Sequence, residues 1–114
     1  MEEKRNIERR HLIYYLRLFS RPQKKLLGHI VDITAEGIML MSEKPIPVGK
    51  DFKLRMYLSD LIIGQAHLDL EARSLWCKPD INPDFYDTGF VIINLSFNDA
   101  KLIYELIDQY GFRA

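Results

Sequence analysis

The chain has 114 residues, one domain's worth, and its 47% hydrophobic and 28% charged residues are the mix of a globular protein with a core. Its single cysteine, Cys77, excludes an internal disulfide or a cysteine-built zinc site and suits a reducing cytoplasm, while short apolar runs such as residues 38–41 fall far below the ~20 residues of a membrane helix, and the charged N-terminus lacks a signal peptide's apolar stretch. The formal net charge is zero, yet residues 1–25 hold eight basic side chains against three acidic ones, a local excess that suits a small anion better than DNA or RNA.

Residues 1–10 have no apolar periodicity and read as a flexible arm or a short helical turn. They precede one domain over residues 11–114. Residues 11–21 predict the first strand, with Leu12, Tyr14, Leu16 and Leu18 on one face and Ile13, Tyr15, Arg17 and Phe19 on the other. Arg21-Pro22-Gln23-Lys24-Lys25 reads as a turn. Residues 26–34 resume as a strand in which Gly28 marks a bulge or a close approach. Ala35-Glu36-Gly37 breaks that strand, and residues 38–41 pair back. Pro45 and Pro47 rule out regular structure over residues 45–50.

The cleanest period of two follows. Phe52, Leu54, Met56 and Leu58 alternate with Lys53, Arg55 and Tyr57, which describes a half-buried strand. Residues 62–76 alternate again, with Ala66, Leu68, Leu70 and Ala72 inside and His67, Asp69, Glu71 and Arg73 outside. Residues 78–87 read as a loop and residues 88–95 as the last strand. The period then becomes helical at Ala100, Ile103, Leu106, Ile107 and Tyr110. Ser96 or Asn98 can cap the first amides, and Gly111 stands where a helix end favours a left-handed residue. The expected fold is mainly β: a six-stranded antiparallel barrel with one amphipathic α-helix at the C-terminus. Closure would bury the strands and remove vulnerable edges. The helix would cover an opening of the barrel or form an oligomer contact, which leaves a homodimer open.

Little in the chain points to catalysis. His11, His29 and His67 lie in three different predicted strands, there is no nucleophile elbow, and the glycines form no phosphate loop. His67, Asp69 and Glu71 share a strand face and could touch a metal, but a solvated outer face explains them fully, so no metal is expected. Cys77 beside Trp76 reads as a small, partly buried hydrophobe.

Two motifs carry more. Arg5, Arg9 and Arg10 stand just before the first strand. They read as a solvated charged tail or as an anion clamp, because guanidinium groups grip phosphate bidentately and hydrogen-bond the N7 and O6 edge of guanine. Asp32-Ile33-Thr34-Ala35-Glu36-Gly37 reads as a turn in which Asp32 and Thr34 bond their own backbone and Gly37 supplies a positive φ. The same turn could present Asp32 to the N–H groups of a base and the Thr34 hydroxyl to a phosphate. Gly37 would let a large ring approach the backbone.

Together these motifs resemble the PilZ domain family, whose signature is Arg-x-x-x-Arg followed by Asp/Asn-x-Ser-x-x-Gly. Here they are Arg5 to Arg9 and Asp32 to Gly37, and Trp76 and Gly89-Phe90 look like further family features. Thr34 stands where the family prefers Ser, which keeps the hydroxyl and adds a methyl. The resemblance implies binding of cyclic di-GMP, a bacterial second messenger, as a ligand rather than a cofactor. Arg5, Arg9 and Arg10 would hold phosphates and guanine edges, Asp32 and Thr34 would contact a guanine, and Gly37 would hold the turn. The implied role is a cytoplasmic, non-enzymatic receptor and adaptor that signals to a protein partner. The alternative is a PilZ-like protein-interaction module with little or no nucleotide binding.

Overall fold

The computed structural model describes residues 16–21, 23–57 and 67–110. The arm with its arginines, residues 11–15 of the expected first strand, residues 58–66 and Gly111 lie outside the described residues.

Six strands close into one antiparallel barrel: β1 (Arg17–Ser20), β2 (Lys25–Ile33), β3 (Gly37–Ser42), β4 (Asp51–Tyr57), β5 (His67–Pro79) and β6 (Tyr86–Ile93), in the spatial order β1-β2-β3-β6-β5-β4 with β4 returning to β1. The helix α1 (Phe97–Tyr110) follows. Closure gives every described strand a neighbour on both sides for part of its length, which leaves the barrel no edge strand.

The alternating rows point as the period of two requires. Leu54 and Met56 from β4 and Leu68, Leu70 and Ala72 from β5 are buried, and Lys53, Arg55, Asp69, Glu71 and Arg73 face outward. Leu18, Ile30, Ile33, Ile38 and Leu40 complete the interior, each at 3% exposure or less. Burying such a side chain fully is worth roughly 1.5–3 kcal/mol, so these rows are the main source of cohesion. Phe52 is half-buried and meets Phe90 edge-on at 5.7 Å.

Ser96 is the helix cap. Its Oγ accepts from the Asp99 amide at 3.0 Å and its carbonyl accepts from the Ala100 amide at 2.9 Å. Ile103 and Leu106, one turn apart, are buried in the same cluster as the barrel side chains. The helix therefore closes over the barrel's core.

The main boundary differences from the sequence reading lie in β5 and β6, while β2 and β3 shift by a residue. β5 runs on to Pro79, and β6 begins at Tyr86 and ends at Ile93 rather than spanning residues 88–95. Lys78 and Pro79 pair with Asp87 and Tyr86, so the ladder extends into the polar stretch read as a loop. Asn94, with φ 53°, turns the chain out of the sheet toward the helix. Gly28 is a close approach beside a bulge, because a Cβ there would overlap the Met41 carbonyl and Leu27 is the extra residue in the β1–β2 ladder.

Candidate functional site

The turn between β2 and β3 is built as its residues suggest. Thr34 Oγ1 accepts from the Glu36 and Gly37 amides at 3.1 and 3.2 Å, and the Thr34 amide donates to the Gly37 carbonyl at 2.9 Å. Asp32 Oδ1 accepts from the Ile33 amide at 3.0 Å. The Ile92 amide donates to the Glu36 carbonyl at 2.9 Å, which anchors the turn on β6. Gly37 corrects one expectation: it has no positive φ and opens β3 in extended form. Its glycine is required for space, since a Cβ would stand 2.7 Å from the Phe90 carbonyl of the neighbouring strand.

Two bulges shape the surface beside this turn. In β2, Ile30 pairs with Leu40 and Asp32 with Met39, which leaves Val31 as the extra residue. Strict alternation would put Asp32 on the inward face of Gly28 and Ile30. The bulge reverses the parity beyond it, so Ile30 and Val31 are both buried while Asp32 turns outward. In β5, Ser74 pairs with Phe90 and Trp76 with Gly89, which leaves Leu75 extra. Ser74 stays inside, bonded to the Pro47 carbonyl at 2.7 Å, and Trp76, which alternation would bury, faces out at 39% exposure.

The result is one groove of about 260 Å³ on the barrel's outer face. Asp32, Thr34 and Gly37 form one side, and Leu75, Trp76 and Gly89 form the other. Lys78 Nζ lies 5.2 Å from the centre of the Trp76 ring, close enough for a cation–π contact at the groove's edge. The structure thus brings together three of the six residues expected at the site. Arg5, Arg9 and Arg10 lie outside the described residues. Sequence reasoning missed Leu75 as a wall of the groove, because only the bulge brings it there, and Lys78 as the cation beside the indole.

The outer face of β5 that carries His67, Asp69 and Glu71 makes ion pairs and hydrogen bonds of its own. Arg55 grips Asp69 with two hydrogen bonds of 2.7 and 3.0 Å, and Arg21 approaches the same carboxylate at 3.6 Å. The hydrogen bonds from Arg55 hold the Asp69 carboxyl below its ordinary value and raise the pKa of the guanidinium. Asn94 donates to Glu71 at 2.9 Å. Among the described residues no group of three His, Cys, Asp or Glu side chains is placed to hold a metal ion. Cys77 is half-buried.

The sequence profile of the PilZ domain matches residues 3–109. The chain belongs to the PilZ domain family. Solved structures agree on the fold of this PilZ domain. The inhibitor of motility MotI/DgrA from Bacillus subtilis superposes with a TM-score of 0.66 at 14% identity, covering 86% of this chain and 48% of that one. The chain therefore spans about half the length of that protein. The PilZ domain of YcgR from Escherichia coli, solved with c-di-GMP, superposes with a TM-score of 0.65 at 13% identity, covering 89% of this chain and 83% of that one. No curated protein sequence matches the chain. No described helix is long and apolar enough to cross a membrane.

Proposed function

We propose that this PilZ domain is a cyclic di-GMP receptor and adaptor without catalysis of its own. It binds the nucleotide between Arg5, Arg9 and Arg10 of the arm and Asp32, Thr34 and Gly37 of the turn, and passes the signal to a protein partner in the cytoplasm. The carrying observation is the outward-turned Asp32 beside the Thr34 hydroxyl, on a groove walled by an indole. A carboxylate at the mouth of a groove accepts from the N–H groups of guanine's Watson–Crick edge. Thr34 Oγ1 already accepts two backbone hydrogen bonds, so its proton is the group left to offer a phosphate or base oxygen. An aromatic wall suits a base plane, and Lys78 adds a cation beside it.

The point at which the chain enters β1 supports the same reading. The Leu16 carbonyl accepts from the Ile30 amide at 2.9 Å, so the chain enters β1 two residues along from Asp32. Arg10 precedes Leu16 by a stretch that spans at most about 20 Å when extended, against the ~7 Å that two strand residues add from Ile30 to Asp32. The bound nucleotide in the E. coli domain of the same fold adds support.

Calorimetric titration with cyclic di-GMP, with GTP as the control, tests the proposal. Saturable binding of the cyclic dinucleotide and little heat from GTP is the expected result. Absence of binding at millimolar ligand removes the receptor reading and leaves the interaction module in its place.

A further inference from the structure

A second cavity, of about 430 Å³, opens at the other end of the β2–β3 ribbon. β2 runs from this cavity at Lys25 to the turn at Ile33, and β3 returns from Gly37 to Ser42. The volume is that of a small-molecule site. Its walls are apolar: Phe52, Phe85, Met41 and Leu27 show part of their surface to it. Leu26 stands at its mouth with 44% of its surface exposed. Ile46, buried at 7% exposure, closes one side from the loop that follows β3.

The charged residues of the lining are Lys25 and Lys44, with Glu43 as the one carboxylate. His29 also lines the cavity. Burial, and then Arg17, hold its pKa below 6.5 against an opposing pull from Glu43, so near neutral pH the cations are the two lysines. None of this belongs to the nucleotide groove, with which the cavity shares no lining residue.

We infer that this cavity binds a small amphiphilic carboxylate, its apolar body against Phe52, Phe85 and Met41 and its anionic head between Lys25 and Lys44. One feature favours this occupant over an extended peptide: the apolar surface lies inside a cavity rather than along a strip. The excess of lysine over glutamate at the rim selects an anion over a cation of the same apolar body. The inference does not depend on nucleotide binding at the other end.

Decanoate is the probe, titrated calorimetrically into the purified chain below its micelle-forming concentration. Decyltrimethylammonium, with the same alkyl body and the opposite charge, is the comparison. One saturable site for decanoate is expected, with decyltrimethylammonium bound about tenfold more weakly or worse, the factor that ~1.4 kcal/mol represents. Leu26→Asp, a change at an exposed position, should weaken decanoate by a similar factor and leave the melting midpoint nearly unchanged. The double variant Lys25→Glu, Lys44→Glu should lose the preference for the anion. Absence of saturable decanoate binding, equal binding of the two amphiphiles, or binding indifferent to Leu26→Asp would each overturn the inference.

Discussion

Trp76 lies against Gly89, its cross-strand partner, so closely that a Cβ on Gly89 would fall on the indole Cε2 and Nε1 atoms. The glycine is the floor on which the ring rests, and the ring is one wall of the groove beside the β2–β3 turn. Gly89→Ala should lift the indole toward solvent. The ring is partly exposed and can move, so the cost should sit near the low end of the ~1–3 kcal/mol of overpacked sites. Trp76 is the chain's one tryptophan. A red-shifted emission with a slightly lowered urea midpoint would report the displacement, and an unshifted spectrum would mean that the ring does not rest there in solution.

Arg5→Ala and Arg9→Ala should each weaken cyclic di-GMP by ~1–3 kcal/mol, roughly ten- to a hundredfold, with stability nearly constant. Asp32→Ala should weaken binding and also cost some stability, since Asp32 caps the Ile33 amide. Thr34→Ser keeps the oxygen that holds the Glu36 and Gly37 amides and removes only the methyl, so affinity should hold or rise. A large loss on Thr34→Ser would show that the methyl makes a useful contact. Calorimetry on the four variants reads all of these.

Ligand binding should register as stability. A ligand that binds only the folded chain at a hundredfold excess over Kd contributes ~2.7 kcal/mol, and one kcal/mol moves the midpoint of a domain this size by about 4 °C. Saturating cyclic di-GMP should raise the melting midpoint by roughly 10 °C in low salt and by less in high salt, where exposed arginine–phosphate attraction is screened. Differential scanning fluorimetry across a salt series checks both statements, and an unmoved midpoint counts against the receptor.

Ser96→Ala removes the side-chain acceptor of the Asp99 amide. Losing such a cap costs about 1 kcal/mol. The helix carries Ile103 and Leu106 into the core, so the loss should appear in global unfolding and not only in local fraying. Chemical denaturation should show a lower midpoint with an unchanged slope. Asn98→Ala should have a far smaller effect.

Stability should fall in acid partly through Asp69. Hydrogen bonds from Arg55 lower its pKa in the folded chain below the ordinary 3.8. A depressed carboxyl contributes stability that is present above its unfolded pKa and is lost as pH falls through the lower folded value. Asp51, held down by its hydrogen bonds from Arg73, acts in the same direction. Asp69→Asn should therefore flatten the melting-midpoint profile below about pH 4. An Asp69→Asn profile parallel to that of the parent chain would show that the Arg55 pair contributes nothing.

Several features of this protein follow from its sequence alone. The period of two through Leu54 and Met56 and through Leu68, Leu70 and Ala72 defines which side chains enter the core, because successive strand residues face opposite ways whatever the partner strand. The change of period at Ile103 and Leu106 and the cap at Ser96 are likewise local, and so are the turn bonds of Thr34. The outward aim of Asp32 and Trp76 is a different matter. Both follow bulges, at Val31 and Leu75, and a bulge exists only in the register between two strands, so no count along one strand reveals it. Gly37 shows the same limit: its turn position suggested a positive φ, yet the need for glycine comes from the Phe90 carbonyl of a strand more than fifty residues away. The sequence supplied the residue types and their alternation; the closing of the barrel chose the register, and register decides which of those residues share the groove.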